Sequence, residues 1–142
     1  MKVLIDTNVV IDWLSKRQPF VSVARRIVDL VESGRIDGYV TASSVTDIFY
    51  LSKKSHSYDE AIEGVRKVLT VFEIADTTKS ILLSAILSST HDFEDAVQTE
   101  TARKISAEYI ITRNTQDFLL SPIPVLSPDD FWEVLSANTS KE

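Results

Sequence analysis

The sequence predicts an α/β fold with a mostly parallel central sheet and helices on both of its faces. Short apolar segments typical of strands alternate along the 142 residues with segments of helical periodicity. The intervening helices are long enough to form crossovers between parallel strands. Because only three glycines and four prolines interrupt the chain, which has no repeat or low-complexity stretch, one domain is expected.

The individual elements follow from apolar runs, helical spacing and turn residues. Gly34 is a typical C-terminal stop for the second helix. The segment 80–87 is apolar almost all round, which predicts a helix buried on more than one side and suggests an oligomer interface. In chain order the prediction is strand 2–5, helix 8–14, helix 19–31, strand 38–41, a helix carrying Val45, Ile48 and Phe49, helix 61–69, strand 71–75, helix 80–87, helix 93–107, strand 109–112, strand 124–126 and helix 128–135.

Composition and charge narrow the chemistry. The chain has no cysteine, which excludes disulfides and thiolate metal sites, and only His56 and His91 offer imidazole, so oxygen atoms would be the main ligands of any metal. The net charge of −6 argues against a general duplex-binding protein. The apolar start is interrupted at Asp6, so we expect neither a secretory leader nor a membrane span, and a cytoplasmic location follows by default.

Acidic residues come after several of the predicted strands. Asp6 follows the first strand, Asp47 comes soon after the second, and Asp117 follows the fourth; Asp92 and Asp95 open the helix before the fourth strand. Open parallel sheets bind ligands at the carboxyl ends of their strands. The sequence therefore predicts a shared acidic site at this edge.

Each acid also has a local explanation. Asp6 suits the N-cap of the next helix, and both the Ser44–Asp47 and Asp92–Asp95 segments resemble capping boxes. Asp117 fits an ordinary solvated turn. Helix caps need only sit at their own helix, whereas these acids also fall on the edge where ligands bind, and this convergence favours a site.

Together these segments resemble the PIN-domain nucleases of the VapC-like toxin type. The resemblance rests on Asp6-Thr7-Asn8, Asp47, Asp95-Ala96 and the stretch TRNTQDF at 112–118, and it extends from Met1 to about Phe131. It implies a three-layer α/β/α sandwich and a metal-dependent endoribonuclease, often the toxin of a toxin-antitoxin pair.

The resemblance also implies roles for residues. Asp6, Asp47, Asp95 and Asp117 match the family's acidic quartet, for which the expected cofactor is Mg²⁺ or Mn²⁺. We expect Asp6 and Asp95 to bind the ion directly, with Asp117 and Asp47 tuning its water network or a second ion. The family commonly has glutamate where this chain has Asp47. Residues expected to support the carboxylates or contact substrate are Thr7, Asn8, Thr112, Arg113 and Asn114.

Other expectations concern partners and domain limits. A basic rim for RNA would comprise Lys16, Arg17, Lys53, Lys54 and Arg113, while His56 and His91 are expected to be surface residues. A small antitoxin and a homodimer formed through the apolar helix and the aromatic residues Trp13, Phe49 and Tyr50 are the expected protein partners. Residues 1–136 would form the domain and residues 137–142 a flexible tail.

Two other classes of protein are alternatives. The first is a PIN-fold module that binds without cleaving. The second is a metal-dependent phosphatase, which would need a second acid where Asn8 stands. A response-regulator receiver is disfavoured, since Asp76 suits its phosphorylation site but Ser127-Pro128 offers no lysine after the last strand.

Overall fold

The computed structural model describes residues 1–88, 90 and 92–140, with side chains described up to residue 138. It contains one five-stranded parallel sheet in the order β3-β2-β1-β4-β5. The strands are β1 Lys2–Ile5, β2 Asp37–Thr41, β3 Glu73–Ala75, β4 Tyr109–Ile111 and β5 Val125–Leu126. The helices are α1 Thr7–Leu14, α2 Val21–Glu32, α3 Ala42–Lys53, α4 Tyr58–Val71, α5 Lys79–Leu87, α6 Phe93–Lys104, a 3-10 helix Thr115–Phe118 and α7 Pro128–Ser140.

Hydrophobic cores cover both faces of the sheet. On β1, Val3 and Ile5 point into the larger core, which includes residues of α1, α2 and α7, whereas Leu4 points into a second core that contains Ala102 of α6 and Ile110 of β4. This alternation is the two-residue period of a strand that is buried on both faces. The predicted α/β class and parallel sheet are therefore confirmed.

The strand order reverses next to β1. From β1 the chain proceeds outward to β2 and β3 on one side, and the later strands β4 and β5 are added on the other. Such a reversal opens a crevice at the carboxyl ends of the two strands beside it, here β1 and β4. Residues that immediately follow Ile5 and Ile111 therefore line one crevice.

Several boundaries differ from the predicted ones. Helix α4 continues to Val71, which shortens β3, and α6 ends at Lys104, before Ser106 adopts a left-handed φ of 59°. Gly34 has a φ of 76° directly after α2, as expected for a helix stop. Helix α7 extends to Ser140, so residues 137–140 are helical where a tail was predicted, while residues 141 and 142 lie outside the described part of the chain.

Helix α5 is less buried than its sequence predicts. Only Ile81 and Ala85 are buried, and Leu83, Ile86 and Leu87 are 52%, 66% and 86% exposed. The prediction of a helix buried on more than one side is thus wrong for the single chain, because no other element of the described chain covers this face.

The three aromatic residues predicted to be exposed behave differently from one another. Trp13 is half-buried against Phe72, with ring centroids 6.1 Å apart, and Phe49 is half-buried against Tyr50. Only Tyr50 is largely exposed, at 65%. Within the described residues, no helix is both long and apolar enough to cross a membrane.

Candidate active site

Asp6 stands at the end of β1 and begins α1. Its extended backbone, with φ −73° and ψ 153°, makes it the N-cap, and its Oδ1 accepts a hydrogen bond of 2.8 Å from the backbone N–H of Thr7. Its Oδ2 accepts a 2.8 Å hydrogen bond from the Thr112 hydroxyl and a 3.4 Å one from the Asn8 amide. Asp6 is therefore both the predicted helix cap and a predicted site residue, and its carboxylate is held by residues that follow β1 and β4.

Asn8 and Thr112 connect the loops that follow β1 and β4. The Asn8 Nδ2 donates to Thr112 Oγ1 at 3.2 Å, and its Oδ1 accepts from the Arg113 backbone N–H at 3.3 Å. The Asn114 backbone N–H donates to the same Thr112 hydroxyl at 3.1 Å, while the Asn114 side chain is exposed. Thr7 is buried. These contacts orient the Asp6 carboxylate.

Three further acids come to the same crevice. Asp92 is the N-cap of α6 and accepts a 3.0 Å hydrogen bond from the backbone N–H of Asp95, as the capping-box alternative predicts. Asp117 lies in the 3-10 helix that follows β4. Asp92, Asp95 and Asp117 line one cavity of about 360 Å³ together with Thr90, Gln116, Leu119 and Leu120.

The acids disfavour one another's ionisation. Burial raises the pKa of Asp95 to about 7, and the negative charges of Asp92, Asp6, Asp117 and Glu94 add to the effect. The pKa of Asp6 is also raised, mainly by burial, although the Thr112 hydroxyl and the Thr7 N–H oppose the change. These five acids, from three separate parts of the chain, are thus close enough to share one electrostatic environment.

Asp47 acts on Glu94, another acid at the start of α6. Burial raises the pKa of Glu94, and the Asp47 carboxylate is the largest of the charges that add to it. The capping box predicted for Ser44–Asp47 is wrong, because α3 begins earlier, with Thr41 as N-cap accepting from the Ser44 N–H at 3.1 Å. Asp47 therefore lies inside α3 and serves no cap.

The sequence matches the model of a known protein family. A family model for the PIN domain matches residues 2–116, which is most of the chain. The chain belongs to the PIN-domain family. No curated protein matches it in sequence.

Solved structures share the architecture of this PIN domain. VapBC2 from Rickettsia felis, bound to promoter DNA, has a TM-score of 0.71 at 15% identity over 89% of this chain and 98% of that one. A toxin-antitoxin complex from Klebsiella pneumoniae has a TM-score of 0.68 at 25% identity, over 89% and 97%. VapC20 from Mycobacterium tuberculosis, described as a sarcin-ricin loop cleaving toxin, has a TM-score of 0.63 at 13% identity, over 76% and 86%. The three-layer α/β/α arrangement expected from the sequence agrees with this fold.

Two acids of this PIN domain were not predicted as site residues. Asp92 and Glu94 flank the start of α6, and both act on the pKa of Asp95. The sequence signal is the acidic run Asp92-Phe93-Glu94-Asp95, of which only Asp95 was assigned to the site. In a run of this kind, one carboxylate caps the helix, and the others remain available to the acidic site.

Arg113 does not extend into the crevice. Its guanidinium forms two hydrogen bonds with Asp12, Nε to Oδ2 at 2.6 Å and Nη2 to Oδ1 at 3.2 Å, and lies 4.0 Å from the centre of the Phe20 ring. Asp12 is 1% exposed. Arg113, expected in a basic rim or in substrate contact, thus forms an ion pair with the buried Asp12 that joins α1 to the loop after β4.

The remaining basic and imidazole residues lie away from the acids or outside the described part of the chain. Lys16 and Arg17 follow the C-terminus of α1, and Lys53 and Lys54 end α3, whereas Asp6 begins α1. Since eight helical residues span about 12 Å, Lys16 and Arg17 are well separated from Asp6. His56 is exposed, as predicted, and His91 is outside the described residues.

The donors in the crevice suit a hard divalent cation. They are carboxylates supported by hydroxyl, amide and backbone groups, and oxygen is the ligand that Mg²⁺ and Mn²⁺ prefer. Within residues 1–88, 90 and 92–140, no three acidic or imidazole side chains stand close enough together to hold an ion as placed. Binding would therefore require the side chains of Asp95 and Asp117 to close on Asp6.

Proposed function

We propose that this PIN domain is a metal-dependent endoribonuclease and the toxin of a toxin-antitoxin pair. The observation that carries the proposal is the meeting of Asp6, Asp95 and Asp117, from three separate segments, at the crevice between β1 and β4. Their mutual repulsion gives a site that gains from a bound cation. The PIN-domain family membership supports the same reading.

The donor set fits Mg²⁺ or Mn²⁺. Asp6 and Asp95 would bind the ion directly, and Asp117 and Asp47 would hold its waters or a second ion, with Asp92 and Glu94 as additional acids. When bound, such an ion lowers the pKa of a coordinated water and stabilises the negative charge that develops on a phosphodiester.

The side chains of the protein prepare this site. Thr112 and Asn8 donate hydrogen bonds to Asp6 and so fix the direction of its oxygens. Asp95, with its pKa raised to about 7, holds a proton for part of the time at neutral pH. Metal uptake must release that proton, so we expect metal affinity to rise as the pH increases from 6 to 8.

Toxin-antitoxin partnership is proposed from the structural relatives. One structure with this fold is a toxin-antitoxin complex, two others are VapBC assemblies, and another is named as a toxin that cleaves the sarcin-ricin loop. We propose an RNA substrate in the cytoplasm and a small antitoxin as partner.

A homodimer is proposed from the uncovered face of α5. Leu83, Ile86 and Leu87 leave this face apolar and exposed, and Leu119 and Leu120 extend exposed apolar surface at the rim of the acidic cavity. Contiguous apolar surface of this kind marks protein-protein contacts. A second copy is the proposed occupant.

Cleavage assays test the activity. The purified protein is incubated with labelled single-stranded RNA, and with DNA of the same sequence, in Mg²⁺, Mn²⁺ or chelator. We expect RNA cleavage that requires the metal and that Asp117→Asn lowers by at least about tenfold. Asp130→Asn, at the third position of α7, is the matched control. Cleavage that persists in chelator would refute the metal requirement, and no cleavage with any metal would favour the non-catalytic binding module.

Growth assays test the toxin role separately. Expression of the wild-type chain in a bacterial host should arrest growth, and Asp6→Asn should not. If the two proteins arrest growth equally at equal expression, the arrest does not come from the acidic site.

A further inference from the structure

A buried polar contact joins α3 to α6 below the acids. The amide Nε2 of Gln98 donates a 2.9 Å hydrogen bond to the hydroxyl of Ser44. Both residues are 2% exposed, and 54 positions of sequence separate them. The bond therefore fixes the position of one helix relative to another that is distant in the chain.

The hydrogen bonds continue from Ser44 to the end of β2. Because the Nε2 group of Gln98 can only donate, Ser44 Oγ accepts from it and has its own proton left for Thr41 Oγ1, at 2.6 Å. Thr41 also accepts the Ser44 backbone N–H at 3.1 Å, and its hydroxyl lies 3.1 Å from that of Ser43. Gln98 is thus tied through Ser44 to the cap of α3.

The Gln98 side chain is costly for folding. Its Oε1 is buried and has no hydrogen-bond partner among the described residues. An unsatisfied buried acceptor destabilises the native state, and this cost largely cancels what the Nε2 bond contributes. Methionine, with a similar volume and no acceptor to desolvate, would avoid this cost, so folding stability alone does not account for glutamine here.

The acids lie one helical turn from this contact. Asp47 is three residues after Ser44, and Glu94 and Asp95 are four and three residues before Gln98. Residues three or four apart share one face of a helix. The Gln98–Ser44 hydrogen bond therefore joins the turn of α3 next to Asp47 to the turn of α6 next to Glu94 and Asp95.

We propose that Gln98 is a positioning residue that, through its hydrogen bond to Ser44, sets the spacing between Asp47 on α3 and the acids at the start of α6. The carboxylates repel one another and so push the two helices apart, whereas the amide-hydroxyl bond opposes that movement without adding charge. This inference rests on the proposed function, since the spacing matters only if the acids act together on a metal.

The test compares Gln98→Met, Ser44→Ala and the double variant with the wild type. Mn²⁺ affinity is measured by titration calorimetry, and kcat and KM for RNA cleavage are measured at saturating Mn²⁺. We expect each single variant to bind Mn²⁺ about tenfold more weakly and to lose about tenfold in kcat, with KM unchanged. The double variant should be no worse than Gln98→Met alone, because both changes break one contact.

Stability separates a positioning role from a structural one. Gln98→Met should melt at or above the wild-type temperature, since it removes the unpaired Oε1. Thr101→Val is the matched control: Thr101 is 1% exposed on the same helix, and its hydroxyl donates to the Val97 carbonyl of α6, at 2.7 Å. It should leave Mn²⁺ affinity and kcat unchanged.

The outcomes are distinguishable. If wild type cleaves RNA with Mn²⁺, and Gln98→Met and Ser44→Ala match it in Mn²⁺ affinity and kcat, Gln98 is not a positioning residue, and the proposed function stands. Losses that multiply in the double variant would also show that Gln98 does not act through Ser44 as a positioning residue. If wild type neither binds Mn²⁺ nor cleaves, the proposed function fails, and this inference with it. Should Gln98→Met fold poorly, Ser44→Ala decides by the same measurements.

Discussion

Replacing Asp95 with asparagine should stabilise the metal-free protein at pH 8. Burial and the neighbouring acids raise the pKa of Asp95 from 3.8 to about 7. At pH 8 the native protein must therefore hold a carboxylate that its surroundings disfavour. Asparagine has nearly the same shape and removes the charge, so the variant should be more resistant to unfolding.

The expected gain in unfolding free energy follows from the pKa of Asp95 and from the exposure of its side chain. A pKa change from 3.8 to about 7 corresponds to about 4 kcal/mol for a group shielded from water. Asp95 is only half-buried, and water screens much of the repulsion, so about 1–2 kcal/mol is expected. For a chain of this length, that is a rise of about 3–6 °C in Tm.

The pH dependence has a definite sign. Between pH 3.8 and about 7, Asp95 binds more protons in the native state than in the unfolded state, so its contribution to stability is complete below this window and lost above it. Urea unfolding in chelator should therefore show the advantage of Asp95→Asn at pH 8, a smaller one at pH 6 and almost none at pH 4. Millimolar Mn²⁺ should stabilise wild type more than the variant.

Asp130 provides the control for this experiment. It occupies the third position of α7, as Asp95 does in α6, and its backbone N–H is likewise capped, by Ser127 at 3.1 Å. Asp130→Asn should lower stability at pH 8 by a few tenths of a kcal/mol, because a favourable charge near a helix N-terminus is lost (about 0.3–1 kcal/mol). An Asp95→Asn protein less stable than wild type at pH 8, or an advantage independent of pH, would refute the reasoning.

Three further predictions concern the ion pair, the dimer and the second acid. Arg113→Met should lower the free energy of unfolding in urea by about 3–5 kcal/mol, because it leaves the 1% exposed Asp12 without a counter-ion. Asp12→Asn should lower it less, because the 26% exposed Arg113 can turn to water. Equal losses would contradict this asymmetry. Ile86→Lys should convert a dimer to a monomer in light scattering at tens of micromolar, and a monomeric wild type would rule out the α5 dimer. Asp47→Ala should strongly lower RNA cleavage with little change in Tm, and Asp47→Glu should retain it; a fully active Asp47→Ala would exclude a role for this position.

The sequence predicted the sheet correctly, and placed the candidate acids near its edge, because these signals are local. Each strand is a short apolar run, and Asp6, Asp95 and Asp117 each lie next to a strand or helix end that the pattern marks. The general rule for parallel sheets then brings those ends together.

Contacts between distant segments were not predictable. Arg113 looked like a free cation, because its partner Asp12 is 101 positions away and lies within an otherwise apolar helix. The start of α3 was misplaced because Thr41, Ser43 and Ser44 are all capable caps, and only the end of β2 selects Thr41. Likewise, the composition of α5 shows that it is apolar but not which of its faces the chain covers.

The proposed metal-dependent ribonuclease site can be tested by comparing RNA cleavage by wild type and by Asp6→Asn, each with Mn²⁺ and with chelator. Asparagine is as good an N-cap as aspartate, because its Oδ1 can still accept from the Thr7 N–H while its Nδ2 takes the place of the oxygen that accepts from Thr112, so the fold should survive, as unchanged circular dichroism would verify. We expect cleavage only by wild type with Mn²⁺. Equal cleavage by a folded Asp6→Asn protein would contradict it.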